Sequence, residues 1–338
     1  MTDPKIRLLV VDDSVYMQMA IRMIVDTHPE IEIVGEAGDG EQAVRMAQSL
    51  APDVITMDVN MPGIDGLEAT RRIMAETPVP IVMLSSLTEK GVATTFRALE
   101  LGAVDYVSKS SSAIEIDIAT IAEQAVAKIK FWGRRRVRLD GPARAAPPTL
   151  PAQTDLLLIA AGAGGPSLVS HILHAVAALP FPVLISQEMP ANFTAPFVDY
   201  LARTTGMKVH EGRDGCMLER GSVTVMPGGR KGSVLRRDSG ILTLALAPAA
   251  NAASDAITFG PRTVNAPLVI VLSGEARPLD GLRLMLGAGK GTLWVQTPET
   301  CVLDDLPRAA LAMGLGSVTC DPRQLAGALS LGIGRAAA

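Results

Sequence analysis

Five short apolar runs, separated by amphipathic stretches, occupy the first 130 residues of the chain. Each run has four to six residues and is rich in Val, Ile, Leu and Met, which is typical of strands buried on both faces. The stretches between the runs are long enough for helices. Strands that alternate with helices in this order predict an α/β domain with a parallel sheet covered on both faces. The predicted strands are residues 6–11, 31–34, 54–57, 80–84 and 104–107.

The stretches between the strands carry helix signals. Ser14 follows the first strand and is a residue type that caps helix N-termini, so we expect a helix to begin there. The expected apolar face of that helix is Val15, Met19, Ile21, Met23 and Ile24. Four further helices are predicted at residues 40–50, 66–76, 88–101 and 113–130.

The second half of the chain repeats the α/β pattern. A strand at 156–159 leads into a Gly-rich turn and a helix at 167–178, and more strands are expected at 182–186 and 268–272. Residues 223–246 combine Pro-Gly-Gly with alternating apolar residues. That pattern predicts a β-hairpin inserted into a second doubly wound α/β domain.

The two predicted domains differ in charge and are joined by a linker. Residues 131–153 are rich in Arg, Pro and Ala and show no helical or strand periodicity, so we interpret them as a linker. The predicted domains are therefore residues 1–130 and 154–338. Residues 1–127 hold 9 basic and 20 acidic side chains, whereas residues 128–338 hold 22 basic and 15 acidic side chains. Opposite charges favour docking of the halves. The basic run at 128–138 has only two aromatic residues, so we interpret it as a solvated helix end and linker and expect no nucleic-acid partner.

Composition excludes several protein classes. Hydrophobic residues make up 48% and charged residues 20%, which excludes an intrinsically disordered chain. No uninterrupted run of 18 apolar residues occurs, so no membrane span is expected, and the first residues do not have the pattern of a signal peptide. The three cysteines are far apart and form no CxxC pair, which favours a reducing cytoplasm over disulfides or a zinc site.

Three acidic residues follow predicted strands of the first domain. Asp12 and Asp13 follow the first strand, and Asp58 follows the third. Because the carboxyl ends of parallel strands share one edge, the three carboxylates should converge and hold a hard cation such as Mg²⁺. Ser85 ends the fourth strand and Lys109 follows the fifth, which adds a hydroxyl and an ammonium. This set predicts phosphoryl transfer to a carboxylate.

These residues lie in motifs that resemble the receiver domain of two-component response regulators. The motifs are VVDDS, MDVNMPGIDG, MLSS and DYVSK, at residues 10–14, 57–66, 83–86 and 105–109. The resemblance covers about 128 residues and implies a flavodoxin-like fold and a sensor histidine kinase as partner.

The same resemblance implies a role for each matching residue. Asp58 would accept the phosphoryl group, and Asp13 and the backbone carbonyl of Asn60 would bind Mg²⁺ with it, assisted by Asp12. Ser85 and Lys109 would contact the phosphoryl group, and Tyr106 would be the switching aromatic residue. Ser110 departs from the family, which usually has proline there.

The second domain resembles the effector domain of the chemotaxis protein-glutamate methylesterase (CheB) family. The matching motifs include SQEMP, VMPGGR, VLSG and DGLRLMLGAGKGT, at residues 186–190, 225–230, 271–274 and 280–292. The resemblance implies a Ser-His-Asp hydrolase that removes methyl esters from chemoreceptor glutamates and deamidates receptor glutamines. It also implies that the unphosphorylated receiver covers the catalytic cleft.

The family's catalytic positions are occupied by other residues. Gly162 and Ala163 stand where the family has Ser-Thr, and Glu188 stands where it has the His. Asp280 lies seven residues after Ser273 instead of five. Because glycine has no nucleophilic atom, we expect the effector domain to be a pseudoenzyme that acts by binding a chemoreceptor or other signalling protein.

The alternative is an active methylesterase or glutamine deamidase with a relocated nucleophile. Ser167 and His171 are spaced i, i+4 on a predicted helix, so their side chains could meet. Glu188 and Asp280 could form a carboxylate pair for acid–base catalysis. His174 is interpreted as structural.

Overall fold

A computed structural model describes residues 4–86, 89–109, 118–134, 148–176, 179–248, 257–259, 264–287 and 291–336. The chain divides into two compact units, residues 1–137 and 138–338. The division falls within the expected linker, of which residues 131–134 and 148–153 are described.

The first unit is one parallel sheet with helices between its strands. Its strands are β1 Ile6–Val11, β2 Ile31–Ala37, β3 Val54–Asp58, β4 Ile81–Ser86 and β5 Asp105–Lys109. Its helices are α1 Val15–Val25, α2 Gly40–Leu50, α3 Gly66–Glu76, α4 Glu89–Glu100 and α5 Ile118–Trp132. The strand order is β2-β1-β3-β4-β5, and every pair is parallel. This architecture confirms the predicted α/β fold, and the order reverses between β1 and β3, where such sheets place their ligands.

Helix α1 confirms its predicted cap and only part of its predicted apolar face. The Ser14 hydroxyl accepts a hydrogen bond from the Met17 N–H. The helix buries Ala20, Ile21 and Val25, whereas side chains on another stripe are exposed. Of the expected apolar face, Ile21 is buried and Ile24 is half-buried, but the expectation is wrong for Val15, Met19 and Met23. Apolar residues occupy more than one face of this helix, so periodicity alone cannot select the buried one. The exposed residues are Val15, Tyr16, Met19 and Met23.

The second unit has sixteen described strands and α-helices between residues 156 and 336. They are β6 Leu156–Ala161, α6 Gly165–His174, β7 Val183–Gln187, α7 Ala191–Thr205, β8 Lys208–Glu211, β9 Cys216–Met217, β10 Ser222–Val225, β11 Arg230–Arg236, β12 Leu242–Pro248, β13 Ile257–Phe259, β14 Pro267–Val271, α8 Asp280–Gly287, β15 Thr292–Gln296, α9 Asp305–Ala312, β16 Val318–Cys320 and α10 Pro322–Ala336. Seven strands form a parallel sheet in the order β16-β15-β14-β6-β7-β10-β8, which confirms the second doubly wound domain.

The predicted hairpin is β11 and β12, which pair antiparallel from Arg230↔Pro248 to Arg236↔Leu242. Strands β9 and β13 extend it to a sheet of four strands. The prediction began the hairpin too early, because residues 222–225 form β10, a buried strand of the parallel sheet. Val234 and Leu244 of the hairpin pack into the same apolar core as Leu184 of β7, which fixes the hairpin on the domain.

No helix among the described residues is long and apolar enough to span a membrane.

Candidate functional site

The three predicted acidic residues form one cluster in the structure. Asp12 and Asp13 follow β1 directly, Asp58 ends β3, and these strands are neighbours with Val11 opposite Met57. One carboxylate oxygen from each residue lies within 4.8 Å of the other two. Asp12 and Asp58 are buried, whereas Asp13 is exposed. The cluster is therefore held by the sheet and reaches the surface at Asp13.

Hydrogen bonds orient the two buried acids. The backbone N–H of Ser14 donates to Oδ1 of Asp12 at 3.0 Å, and the N–H of Val59 donates to Oδ1 of Asp58 at 2.8 Å. The Gln18 side-chain amide also donates to the Asp12 carbonyl. These bonds fix the rotamers of the carboxylates, so their mutual approach is built into the fold.

The donor set of this cluster fits Mg²⁺. Three carboxylates this close repel one another unless a cation lies between them, and hard divalent ions prefer oxygen ligands. Asp12, Asp13 and Asp58 would hold the ion, which when bound would neutralise charge on a phosphoryl group. Asn60 is exposed two residues beyond Asp58.

Gly66 allows the backbone at the start of α3 to approach the backbone of Asp58 closely. A Cβ atom on Gly66 would lie 2.0 Å from the Asp58 carbonyl oxygen, so no other residue fits without moving the backbone. The Gly66 N–H donates to the Val59 carbonyl at 3.0 Å. The start of α3 therefore packs directly on the segment that carries the candidate acceptor.

Ser85 and Lys109 lie at the same edge of the sheet as the acidic cluster. Ser85 is fully buried near the end of β4, and its hydroxyl accepts a hydrogen bond from Thr95 at 2.6 Å. Lys109 ends β5 opposite Ser86. The backbone thus places both residues as predicted, whereas Ser110 lies outside the described residues.

Tyr106 is half-buried on β5 and contacts the following helix. Lys128 of α5 lies 5.4 Å from the centre of its ring. Burial raises the pKa of the Tyr106 phenol well above its usual value, and the nearby Asp105 carboxylate raises it further. The phenol therefore keeps its proton to a higher pH than a tyrosine in water.

In the second unit, a rigid Gly-rich turn joins β6 to α6. The Gly162 N–H donates to the Ser273 carbonyl at 2.8 Å, and the Gln187 amide donates to the Gly162 carbonyl at 2.8 Å. The buried Ser273 hydroxyl donates to the Ala163 carbonyl at 2.7 Å and accepts from the Leu303 N–H at 2.9 Å. The turn is thus fixed from both sides by buried polar groups, which are costly to leave unpaired.

The structure brings Glu188 to this turn. A Cβ atom on Gly162 would lie 3.3 Å from Oε2 of Glu188, 3.3 Å from the backbone nitrogen of Glu275 and 2.9 Å from Cα of Gly274. We call this point the Gly162 position. Asp280 is the exposed first residue of α8, and no hydrogen bond in the described part of the chain joins it to Glu188.

Arg277 also contributes to this site, although the sequence did not single it out. Its Nη2 donates to the carbonyl of Ser186 at 3.1 Å and, at 3.4 Å, to that of Ala161. These carbonyls lie at the carboxyl ends of β7 and β6, so the guanidinium group shares this edge with Glu188. The two additional residues between Ser273 and Asp280 were the one signal that could have found it.

The other candidate nucleophiles do not form a catalytic pair within the described residues. Ser167 is half-buried and His171 is exposed, and no hydrogen bond joins them. His174 instead contacts the Thr204 carbonyl at 3.1 Å. Burial raises the pKa of the Cys301 thiol far above its usual value and that of the Cys320 thiol to about 11, so both are protonated and weakly nucleophilic.

Restoring a serine at the Gly162 position is expected to destabilise the effector domain. A Gly162→Ser side chain would force Gly274 to move, and overpacking of this kind costs about 1–3 kcal/mol. Thermal unfolding of the effector domain should therefore begin at a lower temperature. Gly327→Ser is the matched control, because a Cβ atom there meets nothing within 4 Å. Equal melting of both variants and the wild type would contradict this prediction.

Two family models match the chain in order. The response regulator receiver domain matches residues 8–120, and the CheB methylesterase domain matches residues 157–329.

Relatives match almost the whole chain. A protein-glutamate methylesterase/protein-glutamine glutaminase of Pyrococcus abyssi is 36% identical, and the match covers 93% of this chain and 90% of the relative's length. Protein-glutamate methylesterase/protein-glutamine glutaminase 1 of Caulobacter vibrioides is 38% identical, and the match covers 92% of this chain and 93% of the relative's length. The response regulator domain of Thermotoga maritima CheB is 44% identical, covers 39% of this chain and 98% of its own, and has a TM-score of 0.36.

These relatives correct one expectation from the sequence. The prediction that the effector domain is a pseudoenzyme is wrong, because the similar proteins are named as enzymes. Absence of a serine at residue 162 does not by itself exclude ester hydrolysis, because a carboxylate can also activate water. With both domain models matched in order and relatives of this identity over nine-tenths of its length, the chain belongs to the CheB protein-glutamate methylesterase family.

Proposed function

We propose that the chain is a phosphorylation-controlled protein-glutamate methylesterase and protein-glutamine glutaminase of a chemotaxis-type two-component system. The observation that carries the proposal is the acidic cluster of Asp12, Asp13 and Asp58, which precedes a methylesterase domain in the same chain. The relatives that share both domains are named for these two activities.

In the first reaction, the Asp58 carboxylate accepts a phosphoryl group from a phosphohistidine of a sensor kinase. A bond forms between a carboxylate oxygen and phosphorus while the donor's nitrogen–phosphorus bond breaks. Asp12, Asp13 and Asp58 would hold Mg²⁺, which when bound would neutralise charge on the phosphoryl group. Ser85 and Lys109 would contact the phosphoryl oxygens. Exposure of Asp13 leaves the cluster open to the donor.

In the second reaction, the effector domain hydrolyses the side chain of a chemoreceptor. A glutamate methyl ester and water give glutamate and methanol, and a glutamine amide and water give glutamate and ammonia. The site is the edge of the seven-stranded sheet where Glu188, Arg277 and the Gly-rich turn meet. Phosphorylation of Asp58 controls this activity.

The proposal is tested by incubating the full chain with a methylated chemoreceptor, Mg²⁺ and a small phosphodonor. Methanol from methyl-esterified receptor and ammonia from receptor glutamines are measured together. Release of either product above the buffer rate supports hydrolase function, and release of neither contradicts it. A receptor with glutamate at every modification site is the control, because it offers no bond to hydrolyse.

A further inference from the structure

The four-stranded sheet built on the hairpin has one face turned away from the apolar core. Side chains alternate between the two faces along a strand, and Val234 of β11 and Leu244 of β12 pack into the core. The neighbouring residues Leu235 and Thr243 therefore belong to the opposite face. Thr243 pairs with Leu235 on one side and with Met217 of β9 on the other, so these three residues form a row across the sheet.

Large apolar side chains on this opposite face are exposed. Leu235 is 48% exposed, Met217 is 50% exposed, and Ile241 in the hairpin turn is 41% exposed. Apolar side chains grouped on one surface are typical of an interaction site, because a partner that covers them removes their surface from water.

Two cations flank the apolar side chains on the same face. Lys231 precedes Leu235 by four residues and Arg237 follows it by two, so the alternation places all three together. The Arg237 N–H donates to the Ile241 carbonyl at 2.9 Å, which continues the antiparallel ladder past the end of β11. Among the described residues, neither cation has an ion pair or a side-chain hydrogen bond. We call the following residues the hairpin face: Met217, Lys231, Leu235, Arg237 and Ile241.

The Lys231 end of the hairpin face begins beside the candidate site. Gly228 lies between β10 and β11, and a Cβ atom on it would lie 2.2 Å from the carbonyl oxygen of Met189, the residue after Glu188. The Gly228 N–H also donates to the Thr194 hydroxyl at 2.9 Å. The segment that leads into β11 is therefore packed against the loop that carries Glu188.

We propose that the hairpin face binds an acidic segment of the chemoreceptor that adjoins the residue to be hydrolysed. This inference rests on the proposed hydrolase function and names the surface that holds its substrate. Each turnover of that reaction leaves a glutamate, so a receptor segment with several modification sites carries negative charge. That charge complements Lys231 and Arg237, and apolar side chains of the same segment pack on Leu235 and Met217.

The size of the hairpin face suits a segment rather than a single side chain. Lys231 and Arg237 are six residues apart on a strand, which places them about 20 Å from each other at roughly 3.3 Å per residue. Residues 230–248 hold four basic side chains and one acidic side chain, Asp238, so the hairpin has a net positive charge. Binding along this face leaves one end of the receptor segment at the candidate site.

Lys231→Glu is the decisive variant, because it reverses one charge of the hairpin face and leaves the backbone ladder intact. The KM of the full chain for methylated receptor should rise about threefold or more, as expected when an attractive charge pair becomes repulsive. The kcat should stay unchanged, since the substitution adds and removes no group at the candidate site. Arg220→Glu is the matched control, because it makes the same charge change at an exposed residue before β10, at the other end of that strand from Gly228.

Leu235→Ser tests the apolar part of the hairpin face. It should also raise the KM, whereas Val318→Ser should not, because Val318 is exposed on β16 at an edge of the seven-stranded sheet. The affinity for a receptor with glutamate at every modification site, measured without turnover, should weaken by the same factor as the KM rises. Circular dichroism of each variant verifies folding.

The dependence on salt gives an independent readout. Added salt should raise the KM of the wild type more than that of Lys231→Glu, because salt screens the charge pairs that the variant has lost. If the wild type releases methanol while Lys231→Glu and Leu235→Ser keep the KM of their controls, the inference is overturned and the hydrolase function stands. A lower kcat at an unchanged KM would also overturn it. Absence of methanol from the wild type would instead overturn the proposed function and this inference with it.

Discussion

Asp58→Asn is expected to abolish labelling of the chain by a small phosphodonor. The amide has no carboxylate oxygen to form an acyl phosphate, yet it matches the aspartate in shape. Asp58 is buried at the end of β3, and its Oδ1 accepts the Val59 N–H, a bond that an asparagine oxygen can retain. The fold should therefore survive while the chemistry is lost. Intact-mass spectrometry after incubation with donor and Mg²⁺ measures the phosphorylated fraction.

The control for this variant is Asp26→Asn, which changes an exposed carboxylate at the end of α1, away from the cluster. It should be labelled as completely as the wild type. Labelling of Asp58→Asn at the wild-type level would show that another residue accepts the phosphoryl group and would remove the assigned role of the acidic cluster.

Gly66→Ala is expected to have the largest effect on the stability of the receiver domain. The new Cβ atom would lie 2.0 Å from the Asp58 carbonyl oxygen and 3.1 Å from Cα of Val59, and these are backbone atoms that cannot rotate away. Either α3 or the segment after β3 must move. We expect a loss of about 3 kcal/mol or more, at the upper end for overpacking. For a domain of this size that loss lowers the melting temperature by about 10 °C.

The matched control is Gly38→Ala, because a Cβ atom on Gly38 meets nothing within 4 Å. Thermal unfolding followed by circular dichroism compares the two variants with the wild type. Gly66→Ala should also slow phosphorylation, since the displaced backbone carries Asp58. If Gly66→Ala and Gly38→Ala melt at the same temperature, the close approach of α3 to Asp58 is not a constraint on the fold.

The receiver domain could be predicted from the sequence because its signals are local. Helices α2 and α3 occupy the predicted ranges, and each begins with an aspartate cap, Asp39 and Asp65, whose side chain accepts an N–H of the first turn. The convergence of the three acids could be predicted because the carboxyl ends of parallel strands share one edge, and the structure adds that β1 and β3 are neighbours there. The phosphoryl and Mg²⁺ roles of these residues remain predictions.

The effector site could not be predicted in the same way because it depends on contacts between distant segments. The approach of Gly162 to Gly274 joins turns more than a hundred residues apart, and no local pattern records it. Arg277 reaches strand ends far away in the chain, so its position depends on how its loop folds. Residue identity at 162 and 188 revealed the loss of a serine and a histidine but not the close packing of Gly162 against Gly274 and Glu188.

Control of a hydrolase through Asp58 is tested most directly by the initial rate of methanol release from a methylated chemoreceptor, measured with and without phosphodonor for the wild type and for Asp58→Asn. The prediction is that the wild type releases methanol above the buffer rate, that the phosphodonor raises this rate, and that it leaves the rate of Asp58→Asn unchanged. Wild-type release equal to buffer, or a rate that responds to the phosphodonor equally in both proteins, would contradict a hydrolase controlled through Asp58.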